Sequence, residues 1–314
     1  MKKGKYYLLT ALSSAILLIS PTTIARTWVE VGSEYESYFD ATDKGATYNY
    51  ERLSSNTPYL RFSHSPDNNA WNVWGRVFQK QYLNEDMFPD STTTSMTDRV
   101  ELHYTKTIRN GQLRFRPGIG FRYNGYKVDR YETEFRAYPQ VDYFINKQSR
   151  LFFSGHVYIG ASKGKRMSDQ QAETYTDWGY ESEFGLIHRF SDGSYIRPHI
   201  FTEYDEFENN YDVSYWQARL IYTKKIGRVT INPFIRYGLN RTVTERSHTD
   251  PERWGVSKDA NYSRVGVYGN VGISGKWNFL YETYYQEEVV ETMDGIQYPD
   301  RDKLFVKVGI RRYF

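Results

Sequence analysis

Asp302-Lys303-Leu304-Phe305-Val306-Lys307-Val308-Gly309-Ile310-Arg311-Arg312-Tyr313-Phe314 closes the chain, and its alternation decides how the rest is read. Counting back from Phe314 in steps of two gives Arg312, Ile310, Val308, Val306 and Leu304, while the places between hold Tyr313, Arg311, Gly309, Lys307 and Phe305. A period of two belongs to a strand with two unlike faces. The first face suits lipid and the second suits water.

The same alternation recurs back to Trp28, and helical spacing is not sustained anywhere. Fourteen runs carry it: Trp28 to Phe39, Thr57 to Ser65, Ala70 to Gln81, Arg99 to Ile108, Gln112 to Lys127, Thr133 to Ile145, Arg150 to Ala161, Asp177 to Phe190, Ser194 to Tyr204, Ser214 to Ile226, Arg228 to Thr242, Tyr262 to Ile273, Trp277 to Glu288, and Asp302 to Phe314. Short links separate some of them, at Pro66 to Asn69, Arg109 to Gly111, Asn146 to Ser149, Ser191 to Gly193, Gly227 and Ser274 to Lys276. Asn110-Gly111 and Asp192-Gly193 have the chemistry of tight hairpins. Long polar connections lie between the others, and long alternates with short. That pattern predicts an all-β, transmembrane, antiparallel up-and-down β-barrel of 14 strands, with short periplasmic turns and long extracellular loops.

Composition agrees. Aromatics make up 18% of the 314 residues, led by 30 tyrosines, which is unlike a disordered chain. No segment after the N-terminus approaches the ~20 apolar residues of a spanning helix. Lys2, Lys3 and Lys5 precede an apolar run from Tyr6 to Ile19, and Thr23-Ile24-Ala25 supplies small residues for cleavage. Residues 1–25 read as a secretory signal peptide, and 26–314 as one barrel domain of the bacterial outer membrane. Without those three lysines the 41 basic residues fall level with the 38 acidic ones. Such balance argues against a nucleic-acid partner. The absence of cysteine removes disulfide and thiolate chemistry. No cofactor or metal is implied. The partners expected are outer-membrane lipid and lipopolysaccharide, the barrel assembly machinery, and ions and oligosaccharides as permeants.

Alternation also sorts side chains to the lumen. The basic set is Arg61, Arg76, Lys80, Arg114, Arg116, Arg122, Arg136, Arg197, Arg219, Arg236, Arg264, Lys307 and Arg311; the acidic set is Glu30, Glu34, Glu101, Asp142, Glu181, Glu183, Glu203 and Glu282. Fourteen strands stand near the size at which a barrel holds an aqueous channel, and so many charges need water around them. Arg114, Arg116 and Arg122, with Arg136 beside them, form the densest basic patch. Tyr35, Tyr123, Tyr180, Tyr204, Trp216, Tyr237 and Tyr285 fall on the outward face near the loop ends, as an aromatic girdle would. Pro117, Pro139, Pro198 and Pro233 lie inside strands, where bulges are expected.

Phe314 after an alternating strand resembles the assembly signal of bacterial outer-membrane proteins. The chain as a whole resembles the outer membrane porin G family. The resemblance is carried by Asp98-Arg99-Val100-Glu101-Leu102, Gly120-Phe121-Arg122-Tyr123-Asn124-Gly125-Tyr126, Pro233-Phe234-Ile235-Arg236-Tyr237-Gly238-Leu239 and Ser263-Arg264-Val265-Gly266-Val267. It implies a monomeric fourteen-stranded porin for passive diffusion of ions and oligosaccharides, closed at acid pH by a loop and a histidine pair. Ala260 and Glu288 hold the histidine positions here, so that gate is in doubt; His248 lies in the same loop. A more distant resemblance is to the oligogalacturonate-specific porins, arginine-lined channels for acidic oligosaccharides with twelve strands. A barrel enzyme would need a nucleophile and base within reach of each other, and His64, His103, His156, His188, His199 and His248 sit in no such motif.

Overall fold

The protein was analysed as a computed structural model that describes residues 25–39, 41–43, 46–48, 53–66, 68–83, 96–126, 131–165, 172–207, 211–245, 257–292 and 300–314. The leader, apart from Ala25, and His248 lie outside the described residues.

Among the described residues fourteen long strands follow one another: β1 Ala25–Tyr38, β2 Ser55–Pro66, β3 Trp71–Gln79, β4 Met96–Lys106, β5 Leu113–Tyr126, β6 Tyr131–Phe144, β7 Ser149–Lys165, β8 Ala172–Arg189, β9 Tyr195–Phe207, β10 Tyr211–Ile226, β11 Val229–Glu245, β12 Ser257–Ser274, β13 Trp277–Thr292 and β14 Arg301–Tyr313. Each pairs antiparallel with its predecessor, and β14 pairs with β1 from Trp28↔Tyr313 to Tyr38↔Lys303. The sheet is a closed barrel, so no edge strand is left unpaired.

Large apolar side chains cover the outside. Ile119 and Phe135 are 67% and 64% exposed, and Val157, Ile159, Phe184, Ile235, Val265 and Ile310 are also exposed. A belt of this kind is the lipid face of a membrane-spanning barrel. Tyr35, Trp216, Tyr237 and Tyr285 stand exposed on it, and Tyr180 stacks on Tyr204 at 6.2 Å. Outward-facing Arg312 lies over the rings of Trp277 and Phe314, at 5.3 and 4.9 Å, which accommodates its charge at the turn end.

The short turns use residues that accept a left-handed backbone. Asn69, Gly111, Gly193 and Gly227 have φ of 49°, 55°, 80° and 58°. In the Asp192 turn, the Ser194 hydroxyl and amide donate to the Asp192 carboxylate at 2.5 and 2.9 Å and hold its pKa below the ordinary value.

Two expectations need correction. The four strand prolines produce no bulges. Pairing simply lapses on one side of each, between Thr105↔Gly118 and Ile108↔Phe115, Ala137↔Val157 and Val141↔Phe153, Gly185↔His199 and His188↔Ile196, and Ile221↔Phe234 and Lys224↔Ile231, and the register resumes unshifted. A proline lacks one donor but keeps strand geometry, so the ladder opens without slipping. A real shift lies on β11 near the loop end, where Trp216↔Asn240 is followed by Gln217↔Gly238, leaving Leu239 as the extra residue. Some runs also extend further: β8 begins at Ala172 rather than Asp177, and β12 at Ser257 rather than Tyr262. Those extensions are polar on both faces and carry no apolar alternation.

At the closing seam Tyr59 lies across Gly32 of β1 and Gly309 of β14 and donates to Glu30 Oε1 at 2.9 Å. A Cβ at Gly309 would stand 2.5 Å from the Tyr59 hydroxyl. Gly309→Val is expected to push the phenol off Glu30 and lower stability by about 1–3 kcal/mol. Urea unfolding in detergent checks this, and Tyr59→Ala should relieve most of the loss in the double variant.

Candidate functional site

Because side chains alternate, every second residue of each strand reaches the lumen, and the register decides which of them meet. A single row crosses seven strands: Arg311 (β14), Glu30 (β1), Arg61 (β2), Arg76 (β3), Glu101 (β4), Arg122 (β5) and Glu134 (β6), each registered directly against the next. Opposite charges so placed attract. Arg311 Nη2 is 2.6 Å from Glu30, Arg122 Nε 2.7 Å from Glu101, and Arg136 Nη2 2.5 Å from Glu134. Where the row sets Arg61 beside Arg76, Glu34 lies between them at 3.7 and 2.8 Å, with Lys307 at 3.7 Å. Toward the loop end Glu36 binds both Lys80 and Lys303 at 2.7 Å. Toward the turn end buried Asp142 binds three arginines: Arg114 at 2.9 Å, Arg116 at 3.1 Å and Arg150 at 3.2 Å.

The basic patch read at Arg114, Arg116, Arg122 and Arg136 is therefore ion-paired, to Asp142, Glu101 and Glu134, which it shares with Arg150 and Arg99. Sequence reading passed over Glu36, Glu134, Arg99, Arg150 and Lys303, although each shares the parity of lumen residues on its own strand. They sit near strand ends, where the alternation is weakest.

The opposite wall is different. Glu183 on β8 binds Arg197 and, at 2.7 Å, Arg219, with His199 Nε2 at 3.7 Å. From there His199, Arg219, Arg236, Arg264, Gln286 and Lys303 run side by side across β9 to β14. Aromatic rings underlie the guanidinium groups: Phe201 is 3.7 Å from Arg219, Phe234 5.0 Å from Arg236, and Tyr262 and Tyr284 are 4.8 and 4.9 Å from Arg264. Phe234, Tyr284, Phe305 and Ile221 form a buried apolar patch on this inner face. Glu181 and Glu203 face inward on β8 and β9, and Tyr158 donates to Asp205 beside Glu203 at 2.7 Å.

A cavity of about 670 Å³ opens against strands β1 to β8, lined by Trp74, His103, Arg114, Arg116, Arg122, Arg136, Tyr138, His156 and Glu181 among others. Tyr138 leans over Gly120 to reach His103, ring to ring at 5.0 Å, and Trp74 meets the other side of His103 at 4.5 Å. Among the described residues no cluster of three His, Asp or Glu side chains is arranged to hold a metal ion. Glu288 is engaged by Arg301 Nη2 at 2.6 Å, and Ala260 is buried. The Phe314 amide donates to the Thr27 carbonyl at 3.0 Å and so completes the seam.

No protein-family model and no curated protein sequence matches the chain. Solved structures do. The CymD monoaromatic hydrocarbon channel superposes with a TM-score of 0.52 at 7% identity, covering 92% of this chain and 88% of that one. The TodX deltaS2S3 mutant monoaromatic hydrocarbon channel gives 0.51 at 8% identity, covering 95% and 91%. The TodX deltaS2 mutant gives 0.50 at 8%, covering 96% and 92%. At such identities the likeness is one of fold, and it singles out neither the porin G family nor the oligogalacturonate porins. Fold and lumen together define the class: a membrane-spanning β-barrel with a charged interior.

Asp142→Asn is expected to strand three arginines. The loss of charge-assisted hydrogen bonds should lower stability by about 1–3 kcal/mol, measured by urea unfolding in detergent.

Proposed function

We propose that the protein is a monomeric outer-membrane channel through which ions and small hydrophilic solutes, oligosaccharides among them, diffuse passively. The observation that carries the reading is the exposure of charge on the inner wall. Arg61, near the middle of β2, points into the barrel and is held by Glu30 and Glu34, yet keeps 21% of its side-chain surface open. Charges left so open inside a barrel are solvated by water in the lumen; a filled interior would bury them at a cost of several kcal/mol each. The pore-lining set is the one named from the sequence, joined by Glu36, Arg99, Glu134, Arg150 and Lys303.

The barrel likeness to known channels supports this reading at the level of architecture, and the cleavable leader read at residues 1–25 would deliver the chain to the periplasm. Ion pairing makes the wall a poor charge filter, because most basic groups already face a carboxylate. Screening shortens the reach of the remainder to about 8 Å at physiological salt.

Purified protein in a planar bilayer should conduct in KCl, with a weak preference for anions that fades as salt rises. A silent membrane, or a clear cation preference, would overturn the reading.

Gating should differ from that of the resembled family. A histidine pair repels when both rings gain charge near pH 6; Ala260 cannot titrate, and Glu288 is held by Arg301. Open probability is expected to change little between pH 7.5 and 5.5. A steep closure in single-channel records that His248→Ala abolishes would assign the gate to that loop.

A further inference from the structure

The two inner walls obey one register and differ in sign pattern. Across β14 and β1 to β6, acids interleave with arginines. Across β9 to β14 the row His199, Arg219, Arg236, Arg264, Gln286, Lys303 contains no acid. Like charges directly opposed on neighbouring strands destabilise a sheet, so a row of this kind calls for a compensating charge. Its ends have one: Glu183 takes Arg219 and Glu36 takes Lys303. Its centre does not. Arg236 has no carboxylate within 4.0 Å among the described residues, and the Arg264 Nε–H goes to the neutral amide of Gln286 at 2.6 Å. Among the described residues Glu282, an inward acid of β13, likewise pairs with no cation within 4.0 Å.

These two arginines are also held ready. The Phe234 ring lies under one guanidinium and the Tyr262 and Tyr284 rings flank the other, which fixes the planes and leaves donor edges free. Both residues lie near the middle of their strands, remote from either mouth.

We propose that Arg236 and Arg264 form a subsite in the lumen wall for a phosphate group, carried by a small phosphorylated solute. A carboxylate has two oxygens and is satisfied by one guanidinium fork. A phosphate dianion has three strong acceptor oxygens and a charge that matches two forks on strands about 4.8 Å apart. The apolar patch of Phe234, Tyr284 and Phe305 supplies no carboxylate, and Glu282, whose charge reaches Arg236, makes no ion pair with it within 4.0 Å among the described residues. The subsite rests on the channel reading for its access to solute, but not for its binding chemistry.

The test therefore reads binding and conduction separately. Purified barrel in detergent is titrated with inorganic phosphate at about pH 8, where the dianion prevails, and phosphorus NMR line broadening reports binding. The same protein in a planar bilayer reports phosphate-dependent block of the KCl current. Acetate at equal ionic strength is the carboxylate comparison.

Wild type should broaden and block with phosphate and not with acetate. Arg236→Gln and Arg264→Gln should each raise the half-effect concentration at least about tenfold, Arg236→Lys should lose part of it because charge remains without the fork, and Glu282→Gln should lower it. Lys224→Gln, at an exposed turn-end site, is the control for loss of one positive charge. Native folding of each variant is read from heat-modifiable mobility; if a Gln variant fails to fold, Arg236→Lys and Glu282→Gln decide. Conduction without broadening would sink the subsite and spare the channel. Broadening without conduction would spare the subsite and sink the channel. Equal loss in Lys224→Gln and Arg236→Gln, or equal response to acetate, would reduce the effect to general charge and overturn the proposal.

Discussion

Lipid offers no hydrogen-bond partner to a peptide group, so a chain that crosses a membrane with strands must join its first strand to its last. Here that junction is the pairing of β1 with β14, unbroken from Trp28↔Tyr313 to Tyr38↔Lys303. Closure fixes more than the ends. Once the ring is shut, no strand can slip by one residue without turning its apolar face inward and its arginines into lipid. Every lumen contact is a consequence of that lock. Glu36 and Lys303 illustrate it: 267 positions apart in the chain, they meet at 2.7 Å because the seam sets them side by side.

Alternation is local, and local information was legible. The last strand shows its two faces in its own residues, and the inward arginines of β5 could be named without knowing what stands next to them. Register is not local. Nothing in Leu113 to Tyr126 tells that Asp142 on the next strand will bind Arg114 and Arg116, or that Arg150, one strand further, will share the same carboxylate. The basic patch therefore looked bare in sequence and is tied to shared carboxylates in space. The prolines misled for a related reason: a missing donor was read as a distortion, whereas the strands keep their path and leave one rung open. The one-residue excess at Leu239 carries no proline. It follows Gly238, where a Cβ would meet the Asn261 side chain and the Tyr262 carbonyl within 2.6 Å, so this close approach of β11 to β12 requires a residue without a side chain.

The electrostatic character of the lumen follows from how signs fall along the rows. On the wall from β14 through β6, Glu30, Glu34, Glu36, Glu101, Glu134 and Asp142 each serve two or three cations, and most guanidinium groups are already committed. That wall therefore keeps an excess of positive charge, but its cations are tied to shared carboxylates. On the wall from β9 to β13, the carboxylates that pair with the row lie at its ends, and aromatic rings sit beneath the arginines between them. Rings hold a cation without cancelling it, so that wall keeps its charge available to whatever enters.

A barrel of this width must also stiffen its wall without filling its interior, and three tyrosines show one way to do so. Tyr59 lies across Gly32 and Gly309 toward Glu30, Tyr138 across Gly120 toward His103, and Tyr158 across Gly179 to Asp205. In each case the phenol lies flat in a slot made by a residue without a side chain, and its far end reaches a polar or aromatic group beyond the slot. A ring that stood upright would intrude into the lumen and leave its hydroxyl to water. Laid flat, it buries apolar surface against backbone, adds a contact that spans more than one strand junction, and keeps the passage open. The glycines of these strands are thus part of the barrel's inner wall in the same sense as the arginines: they make the room in which the wall braces itself.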